Sequence, residues 1–371
     1  MQMCIAVPLL EPGDAQKHTA QSRKAAPAGG PIGTKSGGSI TPKSGGPIHA
    51  KSGGSNHSKS CNPVASLDAH DRIRMVSKDL FIEHEYSAHL NDTLDALLCE
   101  PRHGRMPCWL ITGDAGMGKT AHLHRFARRY ADHRSDDNAA LVRPIVIANV
   151  PPEPTRQTLE WCVLEALNAP TVLNGRGIDR AGVIRRLLSA HETRVLILDE
   201  VQHLCHTRSR DRAVVLDTIK AFSTTSQINV ICAGTPAVER EFRSDPQIER
   251  RFSVTRFTQW TAGAALQRFV GTYERARPLK LPSRLSQPEM IRALLAETGG
   301  ITHRIMQCLN SAAIVAIHEG IERITPDLLK VERAEPGRIL AARRLLADGT
   351  TRRDSTAVKK ATSPLAMEVR A

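Results

Sequence analysis

The sequence predicts an α/β domain built on a parallel β-sheet with helices on both faces, followed by a smaller all-helical domain. Three observations carry this. Short apolar runs alternate with amphipathic stretches from Cys108 to Ala233, the strand-like runs are almost continuously apolar, and beyond Trp260 only helical periodicity persists. Strands covered on both faces lose the in-and-out alternation of a half-exposed sheet, and strand–helix alternation is the signature of parallel connections.

Taken in order, Leu67 to Arg74 and Leu90 to Leu98 show helical spacing, and a Pro101 to Pro107 loop then leads into the apolar run Cys108 to Ile111, a strand. A glycine-rich turn and a helix follow. Val142 to Val150 is strand-like, Leu159 to Leu167 and Gly182 to Ala190 are helical, Arg194 to Leu198 is a strand of branched residues, Ala213 to Thr224 a helix and Ile228 to Ala233 another strand. Ala262 to Arg275, Pro288 to Glu297 and Thr302 to His318 complete the helical domain. The expected organisation is an arm over 1–61, an α/β domain over 62–260 that includes the N-terminal helices of 62–100, a helical lid over 261–335 and a basic, flexible tail over 336–371.

The arm holds four successive octads, GGPIGTKS, GGSITPKS, GGPIHAKS and GGSNHSKS, over 29–60. Gly, Ser and Pro in that density cannot bury a core, so the arm reads as disordered and weakly basic. The net charge of +13 is concentrated at the ends: residues 1–60 carry seven Lys/Arg against two acids, and 338–371 carry eight against three. Basic tails suit loose, salt-sensitive attraction to a polyanion. Eight scattered cysteines with no C-x-x-C pair predict reduced thiols rather than a disulfide framework. No uncharged run approaches the roughly 20 residues of a spanning helix, and Met3 to Leu10 has no basic residue before it, so neither a membrane segment nor a secretory signal is expected and the predicted location is cytoplasmic.

Between the first predicted strand and its helix, Gly113-Asp114-Ala115-Gly116-Met117-Gly118-Lys119-Thr120 matches G-x-x-x-x-G-K-[ST]. The glycines let backbone N–H groups wrap phosphates, the helix N-terminus favours negative charge, Lys119 is placed for the β and γ phosphates and Thr120 for Mg²⁺. Downstream, Val195 to Leu198 runs into Asp199-Glu200, a strand ending in two acids: Asp199 would hold Mg²⁺ through water and Glu200 polarise the attacking water. Together they predict an ATPase that converts ATP to ADP and phosphate with Mg²⁺. Gln202, His203, Cys205 and His206 lack a second half-site and do not form a zinc motif. Thr235 ends the next strand, where an AAA+ fold keeps a polar sensor. Arg251, with Arg250 as its alternative, has the place of an arginine that reaches a neighbouring subunit's γ-phosphate, and Arg304 that of a lid arginine.

The set Val150-Pro151-Pro152-Glu153-Pro154-Thr155, Asn168-Ala169-Pro170, Leu198-Asp199-Glu200-Val201-Gln202-His203-Leu204, Ala233-Gly234-Thr235-Pro236-Ala237, Asp245-Pro246-Gln247 with Arg251-Phe252, and Pro278 to Ser283 resembles the TniB family of transposon ATP-binding proteins over about residues 62–333. The resemblance implies an AAA+ P-loop ATPase, related to TnsC and the phage Mu B protein. Such a protein binds duplex DNA when ATP-loaded, assembles into rings or helical filaments of its own subunits, and recruits and activates a transposase. It implies roles for Lys119, Thr120, Asp199, Glu200, Thr235, Arg251 and Arg304. The octad arm and the tail after Gly337 depart from the family pattern.

Two other functions fit the motifs: a helicase loader or replication initiator, and a nucleotide-dependent signalling switch that needs no DNA. The tail from Arg338 is too short for a helix-turn-helix reader, so DNA contacts are expected to be with phosphates, from Thr155, Arg156, Arg176 and Arg180 beyond the strand ends.

Overall fold

A computed structural model describes residues 67–135, 140–170 and 179–344 of the chain. The octad arm, the tail beyond residue 344 and Arg176 lie outside the described residues. The elements in chain order are α1 (Ala69–Val76), α2 (Glu85–Cys99), β1 (Cys108–Gly113), α3 (Lys119–Arg129), β2 (His133–Arg134), β3 (Leu141–Val142), β4 (Ile145–Asn149), α4 (Arg156–Ala166) and α5 (Arg180–Ala190). They continue with β5 (Val195–Asp199), a 3₁₀ turn (Val201–His206), α6 (Ser209–Thr225), β6 (Asn229–Gly234), α7 (Val238–Arg243), α8 (Pro246–Glu249) and β7 (Phe252–Phe257). Last come α9 (Ala264–Ala276), α10 (Pro288–Thr298), α11 (Thr302–His318), a 3₁₀ turn (Leu328–Lys330) and α12 (Val331–Ala334).

Five strands form one parallel sheet in the order β4-β5-β6-β1-β7, and β2 and β3 pair as a separate antiparallel ribbon. Alternation along β5 explains why Val195 to Leu198 are all apolar. Val195 and Ile197 pack with Leu94, Leu123 and Phe126 of α2 and α3 on one face, while Leu196 and Leu198 pack with Leu159, Ile184 and Ile219 of α4, α5 and α6 on the other. Each such fully buried aliphatic side chain contributes about 1.5–3 kcal/mol. Local signals set the helix ends. Asp68 caps α1 by accepting from the Asp71 N–H at 2.7 Å, Thr155 and Thr158 cap α4 reciprocally, and Pro288 opens α10.

The predicted parallel sheet with helices on both faces and a helical C-terminal part is what the chain forms. Two features differ from expectation. The fifth strand, β7, lies in a segment read only as the surroundings of Arg251. It is an edge strand on which Phe252 and Phe257 alone are buried, so it lacks the continuous apolar run of its neighbours. The Trp109 indole N–H fixes it to β1 by donating to the Thr255 hydroxyl at 2.8 Å.

The second difference concerns α1. Although expected with the α/β part, it packs against α11 in the core of the C-terminal helices, where Ile73 and Val76 share one buried cluster with Ala312, Ala313 and Ala316. A bidentate ion pair from Arg72 to Glu322, at 2.6 and 2.8 Å, and an Arg277 bond to the Met75 carbonyl at 3.1 Å hold it there. The Arg72 guanidinium keeps the Glu322 carboxyl below the usual carboxylate range. Helix α2, in contrast, covers the sheet through Leu90, Leu94 and Leu97. Among the described residues no helix is long and apolar enough to cross a membrane.

Candidate nucleotide site

Because the sheet is parallel, the C-terminal ends of β1, β5 and β6 reach the same edge, where Thr112 is level with Gly234 and Leu198 with Cys232. The loop from Asp114 to Gly118 leaves β1 there. Gly118 takes the left-handed conformation (φ 91°) and is the N-cap of α3 without a side-chain cap, and the space beyond its Cα is open. The first-turn N–H groups of α3 therefore face an open position suited to an anion.

Lys119 folds back over this loop, donating from Nζ to the Gly113 carbonyl at 2.7 Å and the Asp114 carbonyl at 3.0 Å. Burial lowers its pKa from the ordinary lysine value, against the opposing attraction of Asp199, Glu200 and Asp114. Thr120 donates its hydroxyl to Asp199 Oδ2 at 2.6 Å, joining the loop to the end of β5. Asp199 is buried, and its Oδ1 accepts from the Glu200 N–H at 2.8 Å. Glu200 itself adopts a left-handed backbone (φ 61°), the sharp turn that carries the chain from β5 into the 3₁₀ turn. Its carboxylate accepts a hydrogen bond from the Gln202 amide.

The helical part closes on the same point. His303, in the first turn of α11, donates its backbone N–H to the Gly116 carbonyl at 2.8 Å, and Trp260 secures the α11 start through the Gly300 carbonyl and the Thr302 hydroxyl at 2.8 and 2.9 Å. Gln259 adds a bond to Asp114 Oδ2 at 3.0 Å. Arg304, the residue after His303 in the first turn of α11, is exposed. Thr235, directly after β6, is half-buried at the edge where β1 and β5 end. His203 Nδ1 bonds the Val150 carbonyl at 2.7 Å, and among the described residues the group of three His, Cys, Asp or Glu side chains that lie together is Asp68, His70 and Asp71.

Other candidates lie apart from this point. Arg251 precedes β7, so it sits at the opposite edge of the sheet, where its carbonyl accepts from the Cys108 N–H and its Nη1 reaches Ser223 Oγ at 3.4 Å. Its Nε is buried, whereas Arg250 is exposed. Thr155 is the cap of α4, Arg156 pairs with Glu160 at 2.8 Å and Arg180 begins α5. Beside them is a cleft of about 380 Å³ bordered by Arg156 and Arg185 but also by Glu160, Asp179 and Asp217, and so not a basic groove.

No local motif marks Trp260, Gln259 or the His303 backbone, because Trp260 and Gly300 are 40 residues apart in the chain and meet only in the fold.

The family model of the bacterial TniB protein matches residues 72–262. The chain belongs to the TniB family. That match begins within α1 and ends two residues after Trp260, so α9 to α12 lie beyond it. No curated protein matches this TniB-family chain in sequence. In structure it is similar to Cdc6p from Pyrobaculum aerophilum, at 18% identity over 69% of this chain and 68% of that one with a TM-score of 0.50. It is also similar to Orc1 of Aeropyrum pernix, solved in complex with DNA, at 17% identity over 71% and 69% with a TM-score of 0.49. The fold is that of an AAA+ P-loop protein.

Proposed function

We propose that this TniB-family protein is an ATPase, hydrolysing ATP to ADP and phosphate. In its ATP-loaded state it assembles as a ring or helical filament on duplex DNA with little sequence preference, and in the cytoplasm it hands that DNA to a transposase that it activates. The observation that carries the nucleotide half is the 2.6 Å contact of Thr120 with Asp199 next to the Gly116–His303 bond, where a phosphate loop, an acidic strand end and a lid helix meet. Support for the DNA and transposase half comes from membership of the TniB family.

On this view the backbone of Gly113, Asp114, Ala115, Gly116, Met117 and Gly118 cradles the phosphates, and Lys119 exchanges its two carbonyl partners for β- and γ-phosphate oxygens. Thr120 and Asp199 offer one hydroxyl and one carboxylate, hard oxygen donors that suit Mg²⁺. A bound Mg²⁺ would neutralise phosphate charge. Glu200 polarises the attacking water, Thr235 meets the phosphates from the end of β6 and Arg304 from the lid.

Of the two candidate arginines after α8, the exposed Arg250 is better placed to reach a neighbouring subunit than Arg251, which is engaged with Ser223. Arg250→Ala should therefore leave ATP binding by the monomer intact and suppress assembly-dependent hydrolysis. Mixed with Lys119→Ala protein under assembling conditions, it should regain turnover at sites that combine an intact loop with an intact arginine. A mixture as inactive as its parts removes the between-subunit role; rescue seen with Arg251→Ala instead would assign the role to Arg251.

The DNA half is tested by binding to several unrelated duplexes across a salt series, with and without ATP. Backbone contacts, among them Thr155, Arg156, Arg176 and Arg180, predict nearly equal affinities, an ATP requirement, and a slope of log affinity against log salt of about −0.9 per phosphate neutralised. Removing 1–61 and 338–371 should make the slope shallower and leave the ATP requirement in place. Strong preference for one duplex would point to an initiator instead, and no binding under ATP to a switch that works without DNA.

A further inference from the structure

The 3₁₀ turn after Glu200 carries a side chain to which neither the motif nor the proposed reaction gives a task. Gln202 donates from Nε2 to Glu200 Oε2, leaving the other carboxylate oxygen of Glu200 without that partner. A carboxylate only accepts, so the amide can sit no other way round. Gln202 Oε1 is consequently turned inward, where it is buried without a hydrogen-bond partner. It faces the end of β6. A Cβ on Gly234 would come within 2.9 Å of that oxygen and 3.1 Å of the Gln202 backbone nitrogen. A side chain at this position would crowd the amide and the Val201 side chain, and Thr235 is the next residue along the chain.

We infer that Gln202 is the positioning residue for Glu200, and that it links the carboxylate to the Gly234–Thr235 end of β6. Three observations converge on this. The left-handed backbone of Glu200 (φ 61°) turns the chain so that residues 200 and 202 lie side by side. The hydrogen bond ties up one carboxylate oxygen and leaves the other for water. The unpaired amide oxygen against Gly234 means that a shift of the Gly234–Thr235 segment, such as contact between Thr235 and a γ-phosphate would produce, is felt at Gln202 and passed to Glu200. A buried acceptor without a partner is unfavourable, a penalty relieved if an N–H or O–H donor comes within reach when that segment moves. Gln202 acts only through Glu200 and does not touch the reacting atoms.

The inference rests on Glu200 acting on water, and the test separates the two ideas. Gln202→Leu keeps the shape and removes donor and acceptor. It should leave ATP affinity and KM unchanged while kcat falls about 10- to 100-fold, the cost of a misplaced base. Gln202→Asn, one methylene short of the carboxylate, should also lower kcat without changing KM. In a Glu200→Gln background, Gln202→Leu should slow single-turnover hydrolysis no further, because the residue it positions is already lost. A wild-type kcat in Gln202→Leu overturns the inference, as does a loss that adds fully to that of Glu200→Gln, which would mark Gln202 as merely structural. If Glu200→Gln itself turns over like wild type, the role of Glu200 fails first. Circular dichroism and nucleotide binding on each variant confirm that a lost rate is not lost folding.

Discussion

Lys119→Ala is expected to abolish tight ATP binding and, with it, stable binding to DNA. Lys119 is the only lysine of the phosphate loop, and its ammonium is already held over that loop by the Gly113 and Asp114 carbonyls at 2.7 and 3.0 Å. It needs no large rearrangement to meet phosphate oxygens. Truncating one partner of a hydrogen-bonded charge pair costs about 2–5 kcal/mol, or roughly 30- to 5,000-fold in Kd. The opposing charges of Asp199 and Glu200 add to the effect, because without the lysine they face the phosphates uncompensated. Titration with a fluorescent ATP analogue measures the first part and ATP-dependent binding to a duplex the second. Wild-type nucleotide affinity in this variant would remove the loop from the proposed site.

Glu200→Gln should do the opposite to binding and more to chemistry. The substitution keeps the size and the polar contacts of the side chain, so the loop, Thr120 and Asp199 remain as they are and ATP is retained. Glutamine cannot accept the proton of the attacking water, and loss of a general base lowers rates by about 10²- to 10⁴-fold. Held in the ATP state, the variant should stay on DNA longer than wild type. Phosphate release and DNA dissociation, measured on the same preparation, check both claims; equal turnover in the two proteins would show that Glu200 is not the base.

The two variants also separate the steps in which the lid takes part. The backbone of His303 reaches the loop carbonyl of Gly116 at 2.8 Å, so the loop and the start of α11 are joined by a direct backbone bond. A protein that cannot bind ATP should leave this contact unaltered by nucleotide, whereas one that binds without hydrolysing should hold the lid in its loaded position.

By itself the sequence determined the parts of this protein whose signal is local. The phosphate loop needs a tight run of glycines, Lys119 and Thr120 between a strand and a helix, and all of that is written consecutively. Val195 to Leu198 of β5 are apolar without a break because both faces of the strand are covered, and the run leads into Asp199 and Glu200. Helices α9 to α11 were legible because 3.6-residue spacing, Pro288 and Gly299 mark their faces and ends. Tertiary structure alone decided what depends on a distant partner. β7 joins the sheet because β1 offers a free edge, not because its own pattern is apolar, and Thr255 finds Trp109 across that pairing. Helix α1 joins the C-terminal helices because Arg72 meets Glu322, 250 residues away in the chain. The same holds within the site. Thr120 and Asp199 are 79 residues apart, Gly116 and His303 further still, and only the parallel sheet, by bringing successive strand ends to one edge, turns these separate segments into a single place.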